Sequence, residues 1–314
     1  MKAAVLDLGT NTFQLGLYIV EPGPNLIFVE QDEVFVKMTR ESATKVVPTM
    51  RRRAVEALKR FIHQIDAYNP DTIVAVGTEA FRTLEEGQAL QQELSELLEV
   101  PIQIISGEEE ARWTCEAVQL GLPDEQHFLL MDIGGGSTEL TWCKNGIIQW
   151  ARSFPIGAAV MATRFDAFDT LDAQKAELAA KWLGEQLDET LADIKKDGQP
   201  LMVGTSGSFE TIPELQHPGK SFYALCGDQP GIRLKATTVR EVLDPIMHST
   251  LQQRLDWPGL KPARAEYFLM AAFQARWVME QLGATALVIS KYGLREGALL
   301  QQLTAQNSPP GSPA

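Results

Sequence analysis

The sequence predicts an α/β protein built from two related halves, and three observations lead there. A Gly-rich stretch, Asp132-Ile133-Gly134-Gly135-Gly136-Ser137-Thr138-Glu139, follows the apolar run 127–131, and a looser copy, Asp7-Leu8-Gly9-Thr10-Asn11-Thr12, follows residues 1–6. In one register Asp7 aligns with Asp132, Gly9 with Gly134, Thr12 with Ser137 and Leu15 with Leu140. After each copy, short apolar runs alternate with longer stretches of helical spacing, the signature of βα units. Gly121-Leu122-Pro123 punctuates the chain between them. The expected organisation is a duplicated fold with a cleft between the copies: a first domain over 1–124 and a second over 125–306, with its last helix able to pack back on the first. A tail over 307–314 has disordered composition.

In chain order, Phe13, Leu15, Leu17 and Ile19 alternate as in a half-buried strand, and Pro22-Gly23-Pro24-Asn25 turns the chain into another strand over 26–30. After Pro48, the positions Met50, Ala54, Ala57, Leu58, Phe61, Ile65 and Tyr68 recur at helical spacing until Asn69-Pro70 stops them. A buried strand over 72–76 runs into Gly77-Thr78-Glu79-Ala80-Phe81-Arg82. That segment reads as a turn placing Arg82 beyond the strand's carboxyl end, the edge at which open α/β sheets bind ligands. A helix over 86–98 and a strand over 102–105 follow; then Ser106-Gly107-Glu108-Glu109 has the S-x-x-E form of a capping box opening a further helix. The second half runs strand, Gly loop, strand over 132–143, a strand over 147–154, a long helix over 173–194 and a strand over 201–203. That last strand opens onto a third small-residue turn, Gly204-Thr205-Ser206-Gly207-Ser208. Residues 216–234 read as a long connection or hairpin. Helices over 238–249, 252–255 and 264–282 precede a strand over 286–290 and the turn Lys291-Tyr292-Gly293-Leu294-Arg295-Glu296-Gly297.

With 314 residues, 45% of them hydrophobic and 22% charged, the chain can form two ordinary cores. Asp7 interrupts the N-terminal apolar run before a signal-peptide core is complete, and no stretch approaches a membrane span, so a soluble cytoplasmic protein is expected. Cys115, Cys143 and Cys226 are scattered without CxxC spacing, as buried thiols in a reducing compartment would be. A net charge of −13 argues against a nucleic-acid partner, which demands an excess of Lys and Arg on one face. It leaves room for a small polyanion held by backbone amides, a few arginines and a metal ion. Arg51, Arg52, Arg53, Lys59 and Arg60 read as a solvated helix face, and His63, His127, His217 and His248 have no metal-site spacing.

A tight turn with bare N–H groups and a hydroxyl suits phosphate, and its repetition once per half suits an anhydride gripped by both. Asp7 and Asp132 at the strand ends would repel that phosphate unless a divalent cation intervened, most simply Mg2+ with retained waters. Glu108, Glu109 and Glu110 are first-turn acids of a helix, but Glu110 adjoins the apolar face and is a candidate general base. Glu139 is either an exposed strand carboxylate or a second metal ligand. Arg82 is either a surface ion-pair partner or a bidentate phosphate grip.

Taken together, Asp7-Leu8-Gly9-Thr10-Asn11-Thr12, Gly77-Thr78-Glu79-Ala80-Phe81-Arg82, Ile105-Ser106-Gly107-Glu108-Glu109-Glu110-Ala111-Arg112, the 132–140 stretch, Gly204-Thr205-Ser206-Gly207-Ser208 and Gly293-Leu294-Arg295-Glu296-Gly297 resemble, in order, the motifs of the exopolyphosphatase and guanosine pentaphosphate phosphatase (Ppx/GppA) family. The resemblance implies a two-domain RNase H-like fold of the actin, Hsp70 and sugar-kinase superfamily, and hydrolysis of a terminal phosphoanhydride with Mg2+. Carried over residue by residue, it makes Glu110 the catalytic glutamate and Arg82 the phosphate-gripping arginine. Asp132 and Glu139, with Asp7, become the metal-binding acids. Asn11, Thr12, Gly134, Gly135, Gly136, Ser137, Gly207 and Ser208 become phosphate-binding positions. The implied ligand is polyphosphate or guanosine penta- or tetraphosphate, and the implied assembly a homodimer. Ser208 stands where the family usually has Thr, Arg264-Ala265-Glu266 replaces its usual Arg-x-Asp, and the chain stops soon after Gly297, as in short members without an HD-like helical domain. Two rivals remain: a kinase of the same superfamily, since Gly204–Ser208 loosely resembles an adenosine loop, and a non-catalytic sensor of guanosine tetra- or pentaphosphate.

Overall fold

The computed structural model describes residues 1–22, 25–38 and 44–307. It divides into two compact units, residues 1–120 with the C-terminal stretch from 292, and residues 121–291. Except for Asn307, the tail read as disordered lies outside the described residues, as do Gly23 and Pro24 of the first turn.

In the first unit, β1 (Lys2–Leu8), β2 (Thr12–Val20) and β3 (Leu26–Phe35) form an antiparallel meander. There follow α1 (Pro48–Tyr68), β4 (Thr72–Gly77), α2 (Glu79–Thr83), α3 (Gly87–Leu98), β5 (Gln103–Ile104), α4 (Gly107–Gly121) and the C-terminal helix Leu294–Asn307. The sheet order is β3-β2-β1-β4-β5, with β4 and β5 parallel to β1. Because side chains alternate along a strand, β1 serves two cores. Ala4, Leu6 and Leu8 pack with Met50, Ala54, Leu58 and Phe61 of α1, while Ala3 and Val5 pack with Leu294, Ala298 and Leu299 of the C-terminal helix. Ser106 and Glu109 exchange the expected capping-box bonds, Ser106 N–H to Glu109 Oε2 at 2.7 Å and Glu109 N–H to Ser106 Oγ at 3.1 Å. The arginines of α1 are not merely solvated: Arg51 pairs with Glu93, Arg60 with Asp32, and Arg53 donates to the carbonyls of Val36 and Lys37.

The second unit contains β6 (His127–Ile133), β7 (Thr138–Lys144), β8 (Ile147–Phe154), α5 (Ala158–Arg164), α6 (Ala173–Lys196), β9 (Leu201–Thr205), α7 (Ser206–Gln216) and α8 (Phe222–Cys226). It continues with β10 (Gly231–Lys235), α9 (Ala236–Met247), α10 (Leu251–Leu255), α11 (Ala265–Leu282) and β11 (Ala286–Ser290). Its sheet order is β10-β11-β9-β6-β7-β8. Without β10, this repeats the order of the first unit, a meander whose opening strand is followed on its other side by two parallel strands. The fold is thus the duplicated RNase H-like α/β fold expected from the sequence. One core lines the second sheet, built from Leu129, Met131, Leu140, Leu183, Phe209, Phe268 and their neighbours. Arg254, wholly buried, donates to the carbonyls of Phe168, Asp169, Ser249 and Ala265 and so ties α10, α11 and the loop before α6 together.

Four local readings differ from the structure. Residues 77–82 are not only a turn, since α2 begins at Glu79; the segment 216–234 contains α8 and the edge strand β10; and the last turn ends at Gly293, where the C-terminal helix takes over. Ile19 is 39% exposed whereas Tyr18 is buried. Tyr18 packs on the face covered by Phe28 and the C-terminal helix, a second buried face that alternation within β2 does not announce. All three cysteines are buried. Among the described residues no helix is long and apolar enough to cross a membrane.

A Cβ at Gly297 would collide with the Trp113 carbonyl, so the C-terminal helix lies against α4 backbone to backbone. Gly297→Ala is expected to destabilise the protein by about 1–3 kcal/mol in urea unfolding; unchanged stability would mean that this contact is loose.

Candidate active site

The two Gly turns are built alike. Gly9 N–H donates to Thr12 O at 3.1 Å, and Gly134 N–H to Ser137 O at 3.0 Å. A Cβ would stand 2.9 Å from the Thr12 oxygen at the first and 3.1 Å from the Ser137 oxygen at the second. Neither glycine has a positive φ. Glycine is therefore used at both for close approach of backbone to backbone, not for access to the left-handed region.

In the second turn the carbonyls are all committed. Those of Gly134, Gly135 and Gly136 accept from Ala158, Ala159 and Gly157, respectively, each at 2.9 Å, at the start of α5. In a trans peptide the C=O and the next residue's N–H point in opposite directions. The N–H groups of Gly135, Gly136 and Ser137 consequently face away from α5, as an anion-binding nest requires. Buried Gln274 of α11 holds this arrangement, accepting from Thr138 Oγ1 at 3.1 Å and donating to Ile156 O at 3.0 Å.

Asp132 and Glu139 are directly opposite in the β6–β7 register. Two like charges in that position repel. Glu139 is 3% exposed and accepts from Ser153 Oγ at 2.7 Å. The corresponding pair in the first unit is Asp7 and Gln14. The third small-residue segment bends sharply: β9 ends at Thr205, which pairs with Asp132, and α7 starts at Ser206 with φ 67. Ser208 Oγ donates to Ile133 O at 2.8 Å, so its proton serves the junction between the two loops. A Cβ on Gly207 would fall inside the Arg264 guanidinium.

In the first unit, Arg82 and Glu110 come together. Arg82 Nη1 donates to the Ile105 carbonyl and lies 3.3 Å from Glu110 Oε2. Of the three first-turn acids of α4, Glu108 and Glu109 are exposed, and only Glu110, 9% exposed, is turned inward. Thr10 is buried, while Asn11 and Thr12 are half-buried in the first turn. Glu79 went unremarked in the sequence. Its carboxyl is pushed up by burial, an effect opposed by Arg82 and by a hydrogen bond with Thr10. Also missed were Arg295 and Glu296, whose charges act on Asp7 in opposite senses. Glu296 accepts from Tyr18 Oη at 2.5 Å and from Gly293 N–H at 2.7 Å. The signal available was a run of charged residues inside a Gly-bounded segment, without any mark of its distant partners.

Among the described residues no three His, Cys, Asp or Glu side chains converge as a metal cage. A Mg2+ ion that keeps most of its waters needs only one or two carboxylates, and each unit, taken by itself, offers oxygens that fit such an ion. Asp132 and Glu139 face each other across adjacent strands. Asp7 Oδ1, Asn11 Oδ1 and Glu79 Oε2 are buried oxygen acceptors without a donor among the described residues.

A family model described as the Ppx/GppA phosphatase family matches residues 19–306. Exopolyphosphatase 1 of Mycobacterium tuberculosis is 26% identical over 318 residues, spanning 98% of this chain and 89% of that protein. For exopolyphosphatase 1 of Mycobacterium leprae the identity is 25% over 321 residues, spanning 98% and 91%. Among solved structures, an exopolyphosphatase from Cytophaga hutchinsonii is similar with a TM-score of 0.88 at 25% identity, covering 97% of this chain and 98% of that one. The Aquifex aeolicus member of the Ppx/GppA family shares the fold with a TM-score of 0.77 at 21% identity, covering 98% and 99%.

Burial pushes the Asp7 carboxyl up to about 6, with Arg295 opposing and Glu296 adding to the shift. A folded-state value above the unfolded one means that Asp7 favours folding at low pH and that this contribution is lost as pH rises through about 6. In a chelator, Asp7→Asn should therefore raise Tm at about pH 8 and change it little near pH 4. A lower Tm at the higher pH would contradict the assignment.

Proposed function

The chain belongs to the Ppx/GppA phosphatase family and is a phosphoanhydride hydrolase, and we propose that it releases the terminal phosphate of inorganic polyphosphate by attack of a water whose proton Glu110 accepts. The observation that carries this reading is the Arg82–Glu110 pair. A permanent cation stands 3.3 Å from the one inward-turned acid of its helix turn, and its other bond, to the Ile105 carbonyl, keeps it there. A carboxylate within reach of a bound water can take its proton as the water attacks.

The proposed step is an in-line displacement. The water oxygen forms a bond to the terminal phosphorus as its proton passes to Glu110. The anhydride P–O bond breaks, and the shortened chain leaves with the bridging oxygen. Arg82 stabilises charge on the transferred phosphoryl group, since a planar guanidinium matches two phosphate oxygens at once. Asn11, Thr12, Gly207 and the outward N–H groups around Gly134, Gly135, Gly136 and Ser137 bind the phosphates that hold the chain in register. Asp132 and Glu139 in the second unit, and Asp7 in the first, are the carboxylates that would hold Mg2+, which would neutralise charge along the phosphate chain. The same terminal anhydride occurs in guanosine pentaphosphate, which makes it the alternative substrate.

Glu110→Gln is expected to lower kcat for phosphate release about 10²–10⁴-fold while polyphosphate binding stays close to wild type. Arg82→Ala should lower kcat about 10²–10³-fold. Phosphate release and binding are to be measured separately on short-chain polyphosphate, long-chain polyphosphate and guanosine pentaphosphate. Turnover by Glu110→Gln at the wild-type rate would remove Glu110 from the reaction, and phosphate transfer that depends on an added alcohol would favour a kinase.

A further inference from the structure

We propose that Ser153 is a positioning residue for the divalent cation of the second unit: its hydroxyl holds Glu139 in the orientation in which that carboxylate binds the ion together with Asp132. This rests on the reading above in which Asp132 and Glu139 are metal-binding acids. The observation that carries it is a row of residues across four adjacent strands. Thr205 of β9 pairs with Asp132 of β6, Asp132 with Glu139 of β7, and Glu139 with Ser153 of β8. Residues paired in this way project from the same face of a sheet. The two acids therefore stand side by side, with a hydroxyl residue on either flank.

Glu139 needs to be held. It is 3% exposed and directly opposite a second carboxylate, a position in which an acid either takes up a proton or turns away from its neighbour. Ser153 Oγ donates to Glu139 Oε1 at 2.7 Å. A donor on a carboxylate oxygen favours the ionised form, which is the form that ligates a hard cation, and it fixes the torsion of the group. The donor comes from β8, the flank of β7 opposite to β6, so it does not stand between the two acids. Ser153 is itself anchored. Gln274 accepts from Thr138, the residue before Glu139, at 3.1 Å and donates to Ile156 O, three residues beyond Ser153, at 3.0 Å. A slip of β8 along β7 would break that bridge together with the Ser153–Glu139 bond.

The duplication supplies an internal control. The corresponding row in the first unit reads Val76, Asp7, Gln14 and Glu33. There an uncharged amide takes the place of Glu139, and neither flanking position carries a hydroxyl. The hydroxyls thus accompany the acid pair and are no general requirement of the sheet.

The test measures Mn2+ binding to the full chain without polyphosphate, counting the free ion by electron paramagnetic resonance, in wild type, Ser153→Ala, Ser153→Thr and Asp132→Asn. Tm in a chelator is recorded for each. Ser153→Ala should weaken Mn2+ binding about 10–100-fold, the scale of losing a group that orients a metal ligand. Ser153→Thr, which keeps the hydroxyl, should bind within a few-fold of wild type. The Mg2+ concentration for half-maximal phosphate release should rise in Ser153→Ala by the same factor as the Mn2+ dissociation constant. A structural serine would lower the chelator Tm and leave Mn2+ affinity at the wild-type value, which would overturn the proposal. A loss that Ser153→Thr does not restore would overturn it as well. So would wild-type Mn2+ affinity in Asp132→Asn, or a wild type that binds no Mn2+, since either places the ion elsewhere. If wild type binds Mn2+ but releases no phosphate from polyphosphate, the hydrolase reading fails, and the Mn2+ comparison still decides the role of Ser153.

Discussion

The hydrogen bond by which Gly134 N–H closes onto the Ser137 carbonyl, repeated as Gly9 N–H onto Thr12, is the constraint around which each unit is arranged. It brings two backbone segments so near that a Cβ would press on a carbonyl oxygen. In the second unit it also fixes which way the following peptides point. Once the three glycine carbonyls are taken up by the start of α5, the N–H groups have to face outward. Backbone polar groups need partners, so a loop of this shape calls for an anion.

Much of the surrounding structure holds these turns in place. Gln274, buried in α11, bonds to both Thr138 and Ile156, on either side of the Gly loop. Arg254 gathers four backbone carbonyls around the start of α11, the helix that carries Gln274 and is preceded by Arg264. In the first unit Glu296 joins the C-terminal helix to β2 through Tyr18, and Ile105 anchors Arg82 beside Glu110. A buried polar side chain with every bond satisfied specifies one arrangement of its neighbours, and a misplaced one would leave several groups unpaired.

What was legible in the sequence was local or repeated. The duplicated register from Asp7 and from Asp132 needs no structure to be seen, and it carries the sheet order with it. Ser106 and Glu109 form their capping box because both partners lie within four residues. What was not legible depends on distant partners. Tyr18 is buried, against the alternation of its strand, because a helix that begins at Leu294 covers the second face of the sheet. Ser208 looks like a loop hydroxyl until Ile133, 75 residues earlier, claims its proton. Glu79, read as part of a turn, lies in the first turn of a five-residue helix, too short for periodicity to register. Glu110 stands out in the sequence because it adjoins the apolar face of its helix and falls in a motif, but its pairing with Arg82 depends on the path of the chain between β4 and α4.

The central claim is that water attacks the terminal phosphorus of a polyphosphate chain, and its most direct test is a single turnover in water enriched in oxygen-18. The predicted result is one labelled oxygen in the released orthophosphate and none in the shortened chain, with no acceptor alcohol present. Label in the remaining chain, or no orthophosphate until an acceptor is supplied, would contradict it.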